Sequence, residues 1–412
     1  MNPAHSENDN HHPVVVQKYG GSSVATSEKI KNIANRIGKR VALGERLVVV
    51  VSAMGKTTDG LISLAKEITP APDPREMDML LATGEQVAAA LLAMALKADG
   101  IEAVSLNAFQ LEMLTSDHYS NARIVDLNLA KLTRELEKRK VVVVTGFQGI
   151  TEAGDLTTLG RGGSDTSAVA IAAKLGAPCE IYSDVVGVFT CDPKLHPGAR
   201  KLSHITFDEM LELAALGAKV LHSRAVEIAK KHSVELYCAS TFSEERGTYV
   251  VNALPEWLEQ PVVTGATIDT NQIRVTINDL PAEIGILSNI FNAVAERGLN
   301  VDMISIVNES GRGHLTFTVV GGNAVTLKSA VERPLNSYSG WTMTQDPDVT
   351  KVSVVGLGMS ARSGVAARFF TVLSAARVTI LATTTSEIKI SVLVPKGEAG
   401  QALKALIDEF KL

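Results

Sequence analysis

A glycine-rich segment near the middle of the chain combines residue types that bind anionic ligands. Residues 157–167 read TTLGRGGSDTS and lead into an alanine-rich helical pattern. Glycines let the backbone approach a ligand closely, and the first amides of a helix favour a negatively charged group. Arg161 can hold a carboxylate through two parallel hydrogen bonds, and Asp165 can orient a lysine or cap the helix. The segment as a whole predicts a ligand site rather than a simple helix cap.

The segment KYGGSS at residues 18–23 outlines a second anion site. It directly follows an apolar run and precedes a pattern in which Ile30, Ile33 and Ile37 recur at helix spacing. Two glycines open the backbone, and Lys18 adds a mobile positive charge. A phosphate site fits these residues, and so does a tight turn with a solvated lysine.

Three further segments place polar side chains where predicted strands or helices end. SAMGKTTD at 52–59 follows a buried strand, where α/β proteins place ligand groups, but Val50 stands where a P-loop requires glycine. Glu85 can bind a ligand's ammonium group or cap its helix. SDVVGVF at 183–189 can hold a nucleotide or form a turn. The residues alone leave these alternatives open.

The elements that must position these segments alternate through residues 13–246. Short apolar runs such as LVVVV at 47–51 and VVVV at 141–144 are separated by helical patterns. Thr206 and Glu209 have the spacing of a capping box, and Gly176 ends an alanine-rich pattern as a helix C-terminus does. Continuous apolar runs suit strands that are buried on both faces, so the pattern predicts an α/β domain with a mainly parallel sheet.

The remainder of the chain differs in texture. Residues 1–12 are polar and are predicted to be a disordered tail, and 247–261, with two prolines, are predicted to be a linker. A βαββ pattern then recurs at 273–320 and 352–394, its second copy with a strand at 378–382 and a closing helix. The repeat suggests a regulatory module, although a ligand-free structural domain fits the pattern too.

Composition excludes several classes of function. At roughly 150 residues per domain, 412 residues correspond to two or three domains. A net charge of -5 and 4% aromatic residues argue against a nucleic-acid binder. The longest apolar stretch contains Asp78 and Glu85, and the cysteines form no metal or disulfide pattern, so we expect a cytoplasmic protein with no membrane span.

Taken together, these segments resemble those of the aspartate kinases (aspartokinases) in the amino acid kinase family. The matching segments are KYGGSS, SAMGKTTD, MDMLLATGEQ, GFQG, TTLGRGGSDTSA, SDVVGVFTCDP and LGAKVLH, in the family's order and spacing. The resemblance implies an αβα sandwich with a mainly parallel sheet at 13–246, followed by two βαββαβ units similar to ACT domains at 262–412. One unit, at about 271–334, would be inserted into the other, formed by 262–270 and 349–412.

The resemblance also implies a reaction and its residues. ATP, with Mg2+, would phosphorylate the β-carboxylate of L-aspartate to 4-phospho-L-aspartate, the first step towards lysine, threonine and methionine. The implied catalytic residues are Lys18, Arg161 and Asp165. Aspartate would meet Ser52, Thr58, Glu85, Phe147, Arg161, Gly162, Gly163, Ser164 and Asp165. The nucleotide would meet Lys18, Tyr19, Gly20, Gly21, Ser183, Asp184, Phe189, Lys194, Lys219 and Val220. Because phosphate oxygens and water would hold most of the Mg2+ coordination, no protein metal cluster is expected.

Departures from the family pattern concentrate in the ACT-like units. The implied effector residues are Asp279, Gly285, Ile286, Ile306 and Thr379. Ile306 stands where threonine-sensitive relatives place a glutamine, and Thr379 lies near where an asparagine commonly contacts effector. Isoleucine cannot replace the amide's hydrogen bonds, a loss of about 1–3 kcal/mol per unmet polar group. We therefore predict weakened or altered feedback by lysine and threonine.

Two alternatives to aspartate phosphorylation stay in view. A related kinase could act on another carboxylate such as N-acetylglutamate, but Glu85 and Arg161 together favour a free amino acid. A catalytically inactive amino-acid sensor could keep the ACT pair, but it would have no need of Lys18, Arg161 and Asp165. We expect a homo-oligomer that pairs through its ACT units, because such sheets expose an edge.

Overall fold

The computed structural model describes residues 14–217, 220–255, 261–281, 283–309, 311–321 and 324–412. The predicted tail at 1–12 lies outside these residues. Two compact units divide them: 14–188, 201–214 and 220–255 form the first, and the others form the second. The second unit therefore includes two short stretches, 189–200 and 215–217, from within the predicted catalytic domain.

The first unit is built on two sheets. Its strands are β1 (Val14–Tyr19), β2 (Arg46–Val51), β3 (Ala103–Leu106), β4 (Leu114–Thr115), β5 (Ile124–Asp126), β6 (Val141–Thr145), β7 (Gln148–Ile150), β8 (Leu156–Thr158), β9 (Cys179–Ser183), β10 (His204–Thr206), β11 (Leu236–Ser240) and β12 (Thr248–Val251). The main sheet has the order β10-β12-β11-β9-β1-β2-β6-β3, and its neighbours from β11 to β3 are parallel. A small sheet has the order β5-β4-β7-β8. The predicted, mainly parallel sheet is confirmed.

Helices cover both faces of the main sheet and explain its continuous apolar strands. The described helices are α1 (Ser27–Ala42), α2 (Thr57–Ile68), α3 (Pro74–Leu81), α4 (Thr83–Ala98), α5 (Ala130–Glu137), α6 (Gly163–Leu175), α7 (Phe207–Ala215) and α8 (Ser223–His232). Of these, α1, α4, α5 and α6 contact the main sheet, and the last residue of α7 belongs to the second unit. α1 and α4 pack against each other and on one face, where Ile33, Leu92 and Val49 share a core. α6 packs on β1, β2 and β9 from the other face, beside α8. This is the αβα sandwich that the resemblance implied.

Local signals in the sequence fix the ends of several helices. The capping box is confirmed, because Thr206 and Glu209 exchange hydrogen bonds between side chain and backbone at the start of α7. Gly176 ends α6 in the left-handed conformation, with φ 61°, as predicted. Thr26 caps α1 by accepting a hydrogen bond from the amide of Lys29.

The apolar stretch Pro74–Ala98 is long and apolar enough to cross a membrane, judged by length and composition only. Half of its most apolar window is buried within the protein, and α4 packs against α1, β3 and β6. This packing is typical of a core helix.

The second unit is a single six-stranded antiparallel sheet with helices. Its strands are β13 (Gly265–Pro281), β14 (Asn300–Glu309), β15 (Arg312–Val320), β16 (Thr342–Val355), β17 (Ala382–Thr385) and β18 (Lys389–Pro395), in the order β14-β15-β13-β16-β18-β17. Its helices are α9 (Ile286–Ala295), α10 (Ala324–Leu335), α11 (Gly358–Ala361), α12 (Val365–Ala375) and α13 (Ala399–Phe410), with a 3-10 turn at Lys396–Glu398.

Two long strands join the repeated halves of this sheet. β13 pairs with β15 through its later residues and with β16 along most of its length, while β16 pairs with β18 through its own later residues. Each half has its own core. One lies around Phe317 under α9 and α10, and the other lies between the sheet and helices α12 and α13, where Phe369 of α12 is buried. The two long strands β13 and β16 therefore each run through both halves of the sheet.

Two segments differ from their predicted structure. Within the predicted linker, Thr248–Val251 forms β12 of the main sheet, because Thr248 and Val250 are buried there. The strand predicted at 378–382 begins instead at Ala382, since Val378 belongs to the turn after α12 and donates a hydrogen bond to the Leu373 carbonyl. The bounds predicted for the domains stay a prediction.

Candidate active site

The candidate site forms where four neighbouring parallel strands end. Tyr19 of β1 is aligned with Val51 of β2 and Tyr182 of β9, and Val51 is aligned with Thr145 of β6. The segments that follow these strands begin at Gly20, Ser52, Gly146 and Asp184. This carboxyl edge is where open α/β sheets bind ligands.

A cavity of about 310 Å³ opens at this edge of the first unit. All nine residues that the resemblance implied for aspartate line it, together with Lys18. The lining residues are Lys18, Gly21, Ser52, Ala53, Gly55, Thr58, Glu85, Phe147, Gly160, Arg161, Gly162, Gly163, Ser164 and Asp165. Segments separated by more than a hundred residues in the sequence therefore meet in one pocket.

Lys18 and Asp165 form an ion pair inside the cavity. Their Nζ and Oδ1 atoms are 2.7 Å apart, and only 11% and 12% of the two side chains is exposed. Side chains alternate along a strand, so Lys18 of β1 points to the face that α6 covers. Asp165 lies in the first turn of α6, whose amino end carries partial positive charge. The pair leaves a cation and a helix terminus facing the space that a phosphate or carboxylate would fill.

Close packing explains the glycine at position 162. Gly162 caps α6 with a φ of 71°, and a Cβ atom there would lie 2.2 Å from the His222 ring. Both the backbone angle and the contact require glycine. Burial lowers the pKa of His222, so its ring packs against the loop as a neutral group.

Glu85 is the second carboxylate of the cavity and is almost fully buried, with 3% exposed. Its Oε1 accepts a hydrogen bond of 2.9 Å from the Ala53 amide, and its buried Oε2 has no hydrogen-bond partner among the described residues. Burial raises the pKa of Glu85 to about 7, although the amide bonds oppose the shift. A ligand's ammonium group would supply both the missing partner and a compensating charge.

The remaining implied aspartate residues surround these charges. Arg161 lies exposed at the rim and makes no ion pair within the described part of the chain. Phe147 has a φ of 70°, and its amide donates a hydrogen bond of 3.1 Å to Ser167 Oγ. Ser52 and Thr58 are half-buried and also line the cavity.

The implied nucleotide residues are less closely grouped. The Tyr19 side chain does not reach the cavity: it is fully buried on the α1 face, stacked on Tyr182 at 5.1 Å and bonded to Gln17. Alternation of side chains along β1 turns the Tyr19 side chain away from the cavity, and the implied nucleotide-binding role of Tyr19 stays a prediction. Gly20 lies beside Lys18 but does not line the cavity, and its amide donates to the Tyr182 carbonyl at 3.1 Å.

The other implied nucleotide residues are described in their own units. Ser183 ends β9, Asp184 is exposed and Val220 is half-buried, all in the first unit, whereas Lys219 lies outside the described residues. Phe189 and Lys194 belong to the second unit. There Phe189 is half-buried and Lys194 is exposed, its amide donating to Asp192 Oδ1 at 2.8 Å.

Sequence reasoning missed three lining residues, Ala53, Gly55 and Gly160. All three lie within segments that had been singled out, and their contribution is backbone: the Ala53 amide holds Glu85, and Gly55 donates to the Gly21 carbonyl at 3.0 Å. The glycines carried a signal, but nothing in the alanine side chain marked its amide.

The implied effector residues all lie in the second unit. Asp279 has a φ of 57°, and Gly285, with φ 96°, precedes α9, whose first residue Ile286 is buried. Ile306 lies on edge strand β14 with 39% exposed. Thr379 donates from its amide and its hydroxyl to Glu398, at 2.6 and 3.3 Å.

The described residues offer few protein ligands for a divalent metal ion. Among the described residues, no group of three or more His, Cys, Asp or Glu side chains could hold an ion. The carboxylates of the cavity are Glu85 and Asp165, and Asp165 is paired with Lys18. This donor set fits a Mg2+ ion that arrives bound to nucleotide phosphates and keeps most of its ligands from phosphate and water.

Comparison with known proteins gives one consistent result. Residues 13–240 match the amino acid kinase family, and 352–410 match the ACT domain. The chain is 45% identical to aspartokinase 2 of Bacillus subtilis over 400 residues, which cover 97% of this chain and 98% of that one. It is 45% identical to the aspartokinase of Thermus thermophilus over 403 residues, covering 97% and 99%.

Solved structures agree in fold. E. coli aspartokinase III in complex with aspartate and ADP (R-state) has a TM-score of 0.81 at 24% identity, over 97% of this chain and 100% of that one. The aspartate kinase from Synechocystis has a TM-score of 0.55 at 40% identity, over 97% of this chain and 69% of that one.

Proposed function

Because the chain belongs to the amino acid kinase family, and within it to the aspartokinases, we propose that it phosphorylates L-aspartate. The γ-phosphoryl group of ATP moves to the β-carboxylate, giving 4-phospho-L-aspartate and ADP. The observation that carries this proposal is the single cavity in which Lys18, Arg161, Asp165 and Glu85 meet.

Aspartate is recognised by charges of both signs. Arg161 has no partner ion within the described residues, so its guanidinium is available to grip a carboxylate. Glu85 offers the unpartnered Oε2 to the ammonium group. An acceptor whose amine is acylated would offer that buried oxygen a neutral amide N–H instead of an ammonium charge, which disfavours N-acetylated substrates.

Phosphoryl transfer depends on positioning and charge stabilisation. Lys18, held by Asp165, places its ammonium beside the transferring group, and the amino end of α6 adds partial positive charge. Gly21 lines the cavity just after β1, where a Cβ atom would lie 2.8 Å from the Ala53 carbonyl oxygen. Mg2+, when bound with the nucleotide, neutralises phosphate charge. The β-carboxylate is already ionised at neutral pH, so no general base is required.

Regulation is proposed to be altered relative to lysine- and threonine-sensitive aspartokinases. Ile306 presents an apolar side chain, and the polar groups of Thr379 are already bonded to Glu398. Each leaves a bound amino acid with fewer hydrogen bonds. The pathway served, towards lysine, threonine or methionine, follows from the product and forms part of the proposal, as does a cytoplasmic location.

Self-association through the second unit completes the proposal. Edge strand β14 exposes Ile304 at 57%, Ile306 at 39% and Val307 at 50%. An unpaired edge of this kind favours pairing with a second copy. The mass of the protein in solution tests this: a homo-oligomer is expected, and a monomer at micromolar concentration contradicts it.

The direct test traps the acyl phosphate with hydroxylamine. Purified protein with ATP, Mg2+ and L-aspartate should form aspartyl hydroxamate, and Lys18→Ala should lower the rate by orders of magnitude. Lys56→Ala is a matched control, because that exposed lysine lies in a neighbouring segment but does not line the cavity. A folded wild-type protein that forms no hydroxamate would support the sensor alternative, which no contact in the cavity favours.

A further inference from the structure

Asp78 is a buried charged residue that the proposed reaction does not use. It lies on α3, is 0% exposed, and makes no contact with the cavity. Its Oδ2 accepts hydrogen bonds from the amides of Thr158 and Ser120, both at 2.8 Å, and its Oδ1 accepts from the Thr158 hydroxyl at 2.7 Å. Burying a carboxylate costs a large desolvation free energy, and these hydrogen-bond donors offset that cost only if they are held in place around it.

The donors come from two segments that lead towards Arg161. Thr158 ends β8 three residues before Arg161, and Ser120 belongs to a loop whose backbone lies against Gly160. The Ala122 amide also donates to the Thr158 carbonyl at 2.9 Å. Asp78 therefore fastens the strand end and the loop to α3 at the same point.

A second charged side chain, on helix α8, binds the same two segments. Arg224 on α8 donates to the Leu159 carbonyl at 3.0 Å and to the Ala122 carbonyl at 2.7 Å. The residues just before Arg161 are thus bonded on one side to an anion and on the other to a cation. Planar guanidinium and carboxylate groups fix direction as well as distance.

α3 also connects to the other substrate-binding charge. Ala82 separates α3 from α4, and its carbonyl accepts a hydrogen bond of 2.5 Å from Gln148. Glu85 lies in the first turn of α4. Asp78 consequently links the element that carries Glu85 to the loop that carries Arg161.

We propose that Asp78 and Arg224 are positioning residues that set the place of Arg161 relative to Glu85, and so determine affinity for aspartate. This inference rests on the proposed function, because it names what holds the substrate-binding arginine of that same site. Misplacement of a substrate-positioning group by about 1 Å can cost 100-fold, so loss of either anchor should weaken aspartate use strongly.

The test is a double-mutant cycle in kcat/KM. Asp78→Asn keeps the shape but removes the negative charge that strengthens the hydrogen bonds from the Thr158 and Ser120 amides. We expect KM for aspartate to rise roughly 10- to 100-fold with KM for ATP nearly unchanged. In an Arg161→Ala background the same substitution should cost less than about twofold, because Asp78 acts through Arg161. Asp155→Asn is the matched control: Asp155 binds Arg75 and Tyr119 in the same region but not the 158–159 backbone.

Two results of the same cycle would contradict the positioning role. Equal penalties with and without Arg161, or equal rises in KM for aspartate and ATP, would overturn the inference. Should Asp78→Asn fail to fold, Arg224→Lys answers the question by the same cycle. It replaces the guanidinium that binds the Leu159 and Ala122 carbonyls, and it lies on a different helix, α8.

A readout without substrate separates this inference from the proposed function. Hydrogen exchange over residues 158–164 should accelerate in Asp78→Asn and stay at the wild-type rate in Asp155→Asn. Unchanged exchange contradicts the anchoring role even in an inactive protein. Absence of aspartate phosphorylation by the wild type, with exchange accelerated as expected, contradicts the proposed function alone.

Discussion

The ion pair between Lys18 and Asp165 predicts that stability and turnover respond differently to the same pair of substitutions. Lys18→Met keeps the apolar stem of the side chain but leaves the Asp165 carboxylate, 12% exposed, without its cation. Removing one partner of a buried pair typically costs about 3–5 kcal/mol, a large part of the roughly 5–15 kcal/mol that stabilises a domain. Turnover should fall by orders of magnitude, because the charge beside the transferred phosphoryl group is lost.

A second substitution separates the two effects. In Lys18→Met with Asp165→Asn the unpaired charge is gone, so most of the lost stability should return while turnover stays at the level of the single variant. Urea unfolding followed by circular dichroism gives the stability, and ADP release gives the turnover. Recovery of turnover in the double variant, or an unchanged urea midpoint in the single variant, would refute the reasoning.

Three further results are expected. With its pKa raised to about 7, Glu85 ionises as pH rises through that value, so KM for aspartate should be higher at pH 6 than at pH 8. Glu85→Gln should abolish that difference, and a slope that survives in this variant would assign it elsewhere. Gly162→Ala should destabilise the first unit by at least about 1–2 kcal/mol and lower aspartate turnover, because the new side chain strains a positive φ and meets His222. Thermal unfolding measures the loss of stability, and an unchanged unfolding midpoint would argue against a requirement for glycine at this position. Lysine plus threonine at sub-millimolar concentration should inhibit weakly, and Ile306→Gln should strengthen inhibition; full inhibition of the wild type would show that Ile306 does not weaken the effector site.

The sequence predicted the α/β class and the main chemical segments because both have local signals. Apolar runs such as 47–51 identify strands buried on both faces, and the TTLGRGGSDTS segment identifies the start of α6. The resemblance implied one site for Lys18, Arg161 and Glu85; the three residues line one cavity, and their roles stay a prediction. These features depend on neighbours in the sequence or on motifs whose order is specific.

What the sequence could not supply depends on long-range packing. Tyr19 lies next to Lys18 in the chain but on the other face of β1, and the stacking on Tyr182 became visible only with the register of β9. Asp78 accepts hydrogen bonds from backbone amides 42 and 80 residues away, and amides leave no trace in residue type. Strand β12 lay within a proline-containing stretch, and only its pairing with β10 and β11 identifies it as part of the sheet.

The most direct measurement of the central claim follows the oxygen atom that attacks phosphorus. Aspartate labelled with 18O in its β-carboxylate is incubated with ATP, Mg2+ and hydroxylamine. If the carboxylate is the acceptor, hydroxylamine breaks the carbon–oxygen bond of the acyl phosphate, and the released phosphate carries one 18O atom. Labelled phosphate in step with hydroxamate is the expected result. Unlabelled phosphate, released at the same rate as ADP, would show that water or hydroxylamine attacks ATP directly, and would contradict aspartate phosphorylation by this protein.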